Sequence, residues 1–300
     1  MTGLADLHRH LDGSLRMETV RELAAREGVV VPPDLPFVRG MGLAAALQRF
    51  AFTLSLLQTR DALARVAAEI CEDAAAEGVT TLEVRFAPQL HGARGMRVGD
   101  AIDAVLEGAA GRAGVILCGL YGEPPAVLRG LVDAARTRPG VVGVDLAGGP
   151  VPGDSWGMED YAPAFHEAER LGLGRTVHAG EGRAPDEIGV AVERLRATRV
   201  GHGTTLLDDP AVLDLVLARG VTVEACVTSN VHTGAVTSAE AHPLPRWLAL
   251  GVRACVCTDN TLLSAIDAPE EHRRARAIPG MDDAKLAAAV AHGHAAAFQR

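Results

Sequence analysis

Two histidines near the start of the sequence have a spacing that could support metal chemistry. His8 and His10 lie in the segment LADLHRHLDGSLR and are followed by Asp12 and Gly13. On a β-strand, residues i and i+2 share a face, so both imidazoles would point to the same side. The pair could bind a metal ion or could be a surface pair beside an Asp-Gly turn, and this segment does not distinguish the two.

Further polar side chains follow three later strand candidates. His178 and Glu181 lie in HAGE, His202 lies in GHG, and Asp259 and Asn260 lie in TDN. A single histidine at a strand end is more often a hydrogen-bonded core residue than a ligand, and an aspartate before asparagine ordinarily forms a turn or a helix cap. In a parallel barrel, however, the carboxyl ends of the strands meet at one face, so four such polar ends favour a functional site.

The combination of these residue types predicts metal-assisted hydrolysis. Neutral imidazole and carboxylate are good zinc ligands, and a catalytic zinc keeps one position for water. The predicted ligands are three histidines and one aspartate, namely His8, His10, His178 and Asp259. Glu181 and His202 are then the acid–base candidates beside the metal. The residues alone do not identify the bond that is broken.

The elements that would position these residues alternate along the chain. Helical segments lie between short β-branched runs, for example residues 59–78 and 208–220, with Gly78 and Gly220 as their predicted ends. Eight alternations predict an α/β protein with a (β/α)8 TIM-type barrel and a metal site at the carboxyl ends of the strands. No linker interrupts residues 1–300, so we expect a single domain. The eight strand candidates are LADLHRH, VTTLEVRF, GVILCGLY, VVGVDLAG, RTVHAGE, TRVGHGT, VTVEACVTS and VRACVCTD.

The composition disfavours several partners and reaction types. Hydrophobic residues make up 48% of the chain but aromatic residues only 3%, which predicts a core of mainly Ala, Val and Leu. A net charge of −9 disfavours nucleic acid and anionic membranes as partners. Lys285 is the only lysine, which disfavours Schiff-base chemistry and lysine-bridged metal pairs. Five scattered cysteines without CxxC pairs, and no signal-peptide or membrane-length apolar run, predict a cytoplasmic protein.

Several motifs resemble one known family. LHRHLDGSLR, GVDLAGG, TVHAGEG, RVGHG, ACVTSN and CTDN occur in the order and approximate spacing of the adenosine deaminase family. The segment LQRFAFTLSLLQT, followed by EGVTTLEVRFAPQLH, is similar to that family too. The resemblance runs from about residue 4 to residue 262 and, more weakly, to the end. It implies a (β/α)8 barrel that holds one zinc ion and removes the purine 6-amino group by hydrolysis.

The resemblance also implies roles for individual residues. Glu181 matches the residue that protonates purine N1, and His202 matches the one that orients and assists the zinc-activated water. A glutamate can do this only if it is protonated, which a dry pocket favours by raising its pKa. The residues that match the family's zinc ligands are His8, His10, His178 and Asp259. The expected catalytic residues are Glu181, His202 and Asp259.

The expected substrate contacts include two departures from the family pattern. Asp12 matches a contact to a ribose hydroxyl, Gly148 matches a backbone contact to the purine, and His10 is expected beside the substrate as well. The family commonly has a second aspartate, donating to purine N7, where this chain has Asn260, whose amide always carries donor hydrogens. An acidic residue usually follows near Gly148, but this chain has Gly149-Pro150, which leaves the nucleoside specificity open.

Three functions are compatible with these residues. The first is deamination of adenosine or 2′-deoxyadenosine to the inosine form and ammonia, and the second is deamination of free adenine or of a modified 6-aminopurine nucleoside. The third is a catalytically silent barrel that binds nucleosides, which the presence of Glu181, His202 and Asp259 together disfavours. A cytidine-type zinc site, with H-x-E and P-C-x-x-C, is absent, as are glycine-rich nucleotide loops. The sequence does not indicate an oligomeric state.

Overall fold

The strands of the protein form a parallel barrel. The computed structural model describes residues 3–150 and 153–299. All strand pairs are parallel. In chain order the strands are β1 (Leu4–His10), β2 (Val79–Phe86), β3 (Gly114–Leu120), β4 (Val141–Ala147), β5 (Gly174–Arg175), β6 (His178–Ala179), β7 (Arg199–His202), β8 (Thr222–Ala225) and β9 (Arg253–Val256).

The predicted (β/α)8 barrel is confirmed, with an interruption in its fifth strand. Strands β1 to β5 form one hydrogen-bonded series and β6 to β9 another. The short β5 and β6 together occupy the fifth position, where Thr176 N donates to Val144 O at 3.1 Å and Gly201 N to Val177 O at 2.8 Å. The barrel closes where His10 N donates to Asp259 O at 2.7 Å, just after β9. Closure therefore brings the first and last polar strand ends together.

Helices surround the barrel. They are α1 (Met17–Glu27), α2 (Leu43–Leu56), α3 (Arg60–Ala76), α4 (Val98–Ala109), α5 (Pro125–Ala135), α6 (Ala162–Arg170), α7 (Asp186–Glu193), α8 (Pro210–Arg219), α9 (Val227–His232), α10 (Leu244–Ala249), α11 (Ala268–Arg276) and α12 (Asp283–Ala296). Four short 3₁₀ helices lie in the loops of the described part. None of the described helices is long and apolar enough to cross a membrane.

The helix ends follow the local sequence signals. Thr59 caps α3 because its side chain accepts a hydrogen bond from Ala62 N at 3.3 Å. Asp209 caps α8 in the same way, because its side chain accepts a hydrogen bond from Ala211 N at 2.8 Å. The helices stop close to the predicted glycines, where φ is +79° at Gly78 and +61° at Gly220. Positive φ is a conformation that glycine adopts without a steric penalty. Local chemistry therefore accounts for both helix boundaries.

One predicted strand is too long. The β-branched run VTVEACVTS was expected to be extended to Ser229, but β8 ends at Ala225 and α9 begins at Val227. Thr228, inside the run, donates through its backbone N–H and its hydroxyl to the buried carboxylate of Glu271 in α11. This tertiary contact fixes the helical turn and overrides the β propensity of the run.

The barrel has an apolar outer layer and a charged interior. Buried Ala, Val and Leu side chains fill the space between strands and helices, as the composition predicted. Buried ionic side chains inside the barrel form a paired network of Glu83, Arg85, Asp145, Arg199 and Glu224. Buried charges are tolerated only when they are paired and hydrogen-bonded, so this network is a fixed framework beneath the strand ends.

A buried histidine outside the barrel provides a test of the packing. His91 follows β2, and its Nδ1–H donates to Leu57 O at 2.7 Å. Burial lowers the pKa of His91 to about 4, below the value of about 6.5 expected in the unfolded chain. The unfolded chain therefore binds the proton first on acidification. The stability that His91 contributes is complete above pH 6.5 and is lost as the pH falls toward 4.

We expect His91→Asn to weaken this pH dependence. The asparagine amide can still donate to Leu57 O but does not titrate. Between pH 6.5 and 4, the free energy of unfolding should fall by up to about 3 kcal/mol more in the wild type than in the variant. Urea denaturation at a series of pH values measures the difference, and parallel curves for the two proteins would contradict the expectation.

Candidate active site

A cleft opens at the carboxyl ends of the strands. Its volume is about 870 Å³, part of it open to solvent. One wall is apolar and comes from α2 and the segment before it, with Phe37, Leu43, Ala46, Leu47, Phe50 and Leu54. The opposite wall is polar and carries eight of the residues singled out in the sequence: His10, Asp12, Gly148, His178, Glu181, His202, Asp259 and Asn260. The ninth, His8, is buried beneath them.

Three histidines and an aspartate converge at the floor of the cleft. His10 Nε2 lies 3.3 Å from His178 Nε2 and 3.5 Å from Asp259 Oδ1. His8 Nε2 lies 3.6 Å from the same carboxylate oxygen. Although fully buried, His8 Nε2 has no hydrogen-bond partner among the described residues. A buried polar atom aimed at other potential ligands is the arrangement expected around a metal ion.

The orientation of two of these imidazoles is fixed by buried carboxylates beneath them. His8 Nδ1–H donates to Glu224 at 2.7 Å, and His178 Nδ1–H donates to Asp145 at 3.2 Å. Arg85 binds both carboxylates, at 2.8 Å each, and so couples the two pairs. Carboxylates that accept the second ring N–H are the usual partners of metal-binding histidines. Both Nε2 lone pairs therefore face the cleft.

These supporting carboxylates were not identified in the sequence. Asp145 and Glu224 lie inside VVGVDLA and TVEA, two strand candidates that are otherwise mostly apolar. An acidic residue within a buried strand is rarely left without a partner, and this was the signal that could have identified them. Burial alone would raise the pKa of Asp145, but the nearby His178 and Arg85 outweigh it and hold that pKa well below its usual range.

Glu181 occupies a dry position beside the histidines. Its Oε1 accepts a hydrogen bond from Thr233 at 2.9 Å, and burial raises the pKa of its carboxyl. Arg183 Nη1 lies 3.9 Å from Oε2, but the guanidinium is held by Glu187, whose oxygens lie 2.8 and 2.9 Å from Arg183 Nε. A side chain at Gly149 would meet Arg183, with a Cβ 2.7 Å from Nη1. Gly149 therefore makes room for this arginine.

A chain of hydrogen bonds determines the tautomer of His202. The backbone N–H of Leu244 donates to His242 Nδ1 at 3.2 Å, so the ring proton of His242 is on Nε2. That Nε2–H donates to Asn230 Oδ1 at 3.1 Å, and the amide of Asn230 then donates to His202 Nδ1 at 2.9 Å. His202 must therefore carry its proton on Nε2, 3.9 Å from Glu181 Oε2. Burial lowers the pKa of His202 to about 3, so the ring is neutral.

Two polar oxygens on the cleft wall lack partners. Neither Asp12 Oδ1 nor Asn260 Oδ1 has a hydrogen-bond partner in residues 3–150 and 153–299, although both atoms are buried. Burial raises the pKa of Asp12 to about 7. Asn260 Oδ1 packs so closely on Gly13 that a Cβ there would lie 2.0 Å away. Unsatisfied buried polar atoms in a cleft are candidates for contacts to a ligand.

The backbone is strained where two of these side chains leave the strands. His202, at the end of β7, has φ of +68°, and Asp259, after β9, has φ of +63°. Residues with a Cβ rarely adopt positive φ, and such conformations persist where the surrounding structure imposes them, often at functional sites. The tertiary structure therefore directs both side chains into the cleft against their local preference.

Comparison with protein families gives a match to almost the whole chain. A family model described as adenosine deaminase matches residues 3–300. An adenosine deaminase of Shewanella loihica is 32% identical to this chain, and the alignment covers 98% of this chain and 94% of that protein. A probable adenosine deaminase of Dictyostelium discoideum is 33% identical over 90% of this chain, but the matched part is only 37% of that longer protein.

Solved structures have the same fold. An adenine deaminase of Arthrobacter aurescens aligns over 100% of this chain and 95% of its own, with a TM-score of 0.90 and 24% identity. The N6-mAMP deaminase of Arabidopsis aligns over 100% and 94%, with a TM-score of 0.89 and 25% identity. An amidohydrolase of Burkholderia ambifaria with bound Zn aligns over 99% and 86%, with a TM-score of 0.87 and 24% identity.

Proposed function

The chain belongs to the adenosine deaminase family, and on that premise we propose that it deaminates adenosine or 2′-deoxyadenosine by hydrolysis, with one zinc ion per chain. The observation that carries the proposal is the unpartnered Nε2 of His8 among three further potential ligands, next to a buried glutamate. The overall reaction adds water at purine C6 and releases ammonia, which gives the inosine form of the nucleoside.

The donor set is suited to zinc. His8, His10, His178 and Asp259 would hold the ion, three through imidazole nitrogen and one through carboxylate oxygen. Burial lowers the pKa of His8 and of His10 well below the ordinary value, so both rings are neutral, as metal ligands must be. A zinc ion bound there would supply a Lewis acid and allow water to act as a nucleophile near neutral pH.

Glu181 is proposed to activate the purine. Its raised pKa favours the carboxylic acid form, which can donate a proton to purine N1. Protonation of N1 withdraws electron density from C6, where the oxygen of water adds. The C6–N bond then breaks. The amino group leaves as ammonia with one of the two protons of the added water, and the other proton returns to Glu181, which gave its own to N1.

His202 is proposed to act as a hydrogen-bond donor. Because Asn230 donates to Nδ1, the neutral ring presents its Nε2–H to the cleft. This N–H can donate to the oxygen that adds to C6, which orients the oxygen and stabilises the negative charge that develops on it. Because Nε2 carries the ring proton in this tautomer, it cannot also accept a proton from that oxygen.

The cleft favours an uncharged nucleoside. Among the described residues that line it there is no lysine or arginine. The nearby Arg183 is paired with Glu187 through Nε, and only its buried Nη1, 3.9 Å from Glu181, is without a hydrogen-bond partner. A phosphate group would therefore lose its hydration and find at most one guanidinium group, which is shared with two carboxylates. Asp12 is proposed to bind a ribose hydroxyl, and the backbone of Gly148 to contact the purine, as the family pattern implies.

The test is ammonia release from a panel of 6-aminopurines. Zinc-loaded protein is incubated with adenosine, 2′-deoxyadenosine, adenine and AMP, and the loss of the amino group is followed. We expect the two nucleosides to react and AMP to be a poor substrate. A reaction with adenine alone would favour the free-base deaminase, and nucleoside binding without ammonia release would favour the silent barrel.

Asn260 is expected to donate to purine N7. If it does, 7-deazaadenosine leaves the amide unpaired in a buried site, which costs about 1–3 kcal/mol, or about tenfold to a hundredfold in kcat/KM. Asn260→Ala should then lower kcat/KM for adenosine much more than for 7-deazaadenosine. Equal losses for the two substrates, together with a lower melting temperature, would instead indicate that Asn260 only supports the following turn.

The domain organisation, the location and the absence of certain partners are predictions from the sequence. We infer that residues 1–300 act as a single domain, that the protein works in the cytoplasm, and that nucleic acids and membranes are not its partners. The net charge of −9 and the scattered cysteines support these inferences.

A further inference from the structure

A phenylalanine closes the end of the barrel opposite the cleft. Phe298 follows α12, and its ring lies against Gly143 of β4 and Gly174 of β5, which are paired neighbours. A Cβ at Gly143 would lie 2.7 Å from the ring, and one at Gly174 would lie 2.0 Å from it. The ring can therefore approach the two strands this closely only because both residues are glycines.

Phe298 also contacts the ionic network inside the barrel. Its ring lies over the guanidinium of Arg199, with Cζ 3.5 Å from the ring centroid. Its backbone N–H donates to Glu83, which is also the ion-pair partner of Arg199. Arg199 in turn donates to Ala296 O at 3.0 Å. The segment after α12 thus covers Arg199 with an aromatic face and binds it through the backbone.

Arg199 also contacts Glu224, the carboxylate that binds the proposed metal ligand His8. Arg199 Nε forms an ion pair with Glu224 Oε1 at 2.7 Å, without the alignment of a hydrogen bond. The same oxygen accepts from the hydroxyl of Thr176 at 3.0 Å. The other oxygen of Glu224 accepts the Nδ1–H of His8 at 2.7 Å. All four side chains are buried. An unbroken series of contacts therefore connects Phe298 to His8 through the interior of the barrel.

We propose that Phe298 is a positioning residue for the metal site. By covering Arg199 it excludes water from the Arg199–Glu224 ion pair, and an ion pair attracts more strongly in a dry, low-dielectric environment. Glu224 then holds His8 in the tautomer and orientation that direct Nε2 toward the metal. The proposal rests on the proposed function only in assuming that His8 is a zinc ligand.

The test is the zinc affinity of Phe298→Leu and Phe298→Ala. Metal-free protein is titrated with Zn²⁺ against a competing chelator, without any purine. Loss of an outer partner of a metal ligand typically costs 10- to 100-fold in affinity. Because Glu224 itself stays in place, we expect Phe298→Ala to weaken the zinc Kd by at most the lower end of that range, about tenfold, with a smaller effect in Phe298→Leu. Melting temperatures of the metal-free proteins are measured in parallel.

The matched control is His294→Ala. His294 anchors the same helix, α12, through Gly3 O at 2.8 Å and Thr81 at 2.7 Å, but it is not part of the series that leads to His8. Loosening the helix alone should lower the melting temperature while the zinc Kd changes by less than about twofold, well below the loss expected for an outer partner of a ligand.

The outcomes separate this proposal from the proposed function. Unchanged zinc affinity in folded Phe298→Ala would overturn it, as would an equal loss of affinity in His294→Ala. If Phe298→Ala does not fold, Phe298→Leu decides in the same way. A wild-type protein that binds zinc but deaminates no purine would leave the proposal standing, whereas a wild type that binds no zinc would overturn both.

Discussion

Glu181→Gln is expected to lower kcat for adenosine by about 10²–10⁴, the usual effect of losing a general acid. The glutamine amide has nearly the same shape and can still accept from Thr233, but it cannot deliver a proton to purine N1. Because Glu181 is not among the proposed ligands, the variant should keep its metal. Steady-state kinetics and metal analysis of the same preparation measure both quantities.

Glu123→Gln is the matched control for this substitution. Glu123 is a glutamate near another strand end and is only partly buried. It accepts from Gln89 at 2.9 Å and from Leu120 N at 3.1 Å, and it does not line the cleft. The kcat of the Glu123→Gln variant should stay near that of the wild type. Near-normal turnover in Glu181→Gln would mean that a different residue protonates the purine.

Removing the metal with a chelator is expected to reduce deamination by more than about 10³-fold, and added Zn²⁺ should restore it. A metal ion contributes several kcal/mol to the stabilisation of such a transition state, and each 1.36 kcal/mol corresponds to about a factor of ten in rate. His10→Ala should have a related effect, since it removes one of the four converging ligand atoms. Elemental analysis should give one zinc ion per chain in the wild type.

His232→Ala is the control for the loss of a histidine. His232, in α9, lies near the site and contacts Ser264 at 3.4 Å, but it is not among the residues grouped as potential ligands. This variant should retain the metal. Wild-type protein that is active without any bound metal would exclude the proposed chemistry.

The proposed specificity depends on the contrast between the two walls of the cleft. The wall formed by α2 offers apolar surface for the flat purine ring, whereas the strand ends offer the polar groups that would orient it. Two of their oxygens, Asp12 Oδ1 and Asn260 Oδ1, have no partner among the described residues, and a hydrogen-bond donor of the ligand would satisfy either one. A ligand that satisfies both would be discriminated from one that satisfies neither, because an unpaired buried polar atom costs about 1–3 kcal/mol.

The barrel and the set of residues at its polar face could be predicted from the sequence alone. Alternation of strands and helices is encoded locally, in the spacing of apolar residues and in capping residues such as Thr59 and Gly78. The His-x-His spacing of His8 and His10 places both rings on one face of any strand. Because parallel strands end on the same face of a barrel, polar residues at their ends could be assigned to one cleft before the structure was known.

The contacts that hold these residues in place could not be predicted, because they join segments far apart in the sequence. Glu224 binds His8 from 216 positions away, and Arg85 binds Glu224 across 139 positions, so no local pattern contains either contact. The helix α9 likewise replaced the end of a predicted strand, because a distant glutamate binds Thr228. The spacing of apolar residues reflects only the structural preferences of residues that are close together in the sequence. The orientation of an imidazole depends instead on which buried groups packing brings within hydrogen-bond distance, and that is a property of the folded molecule.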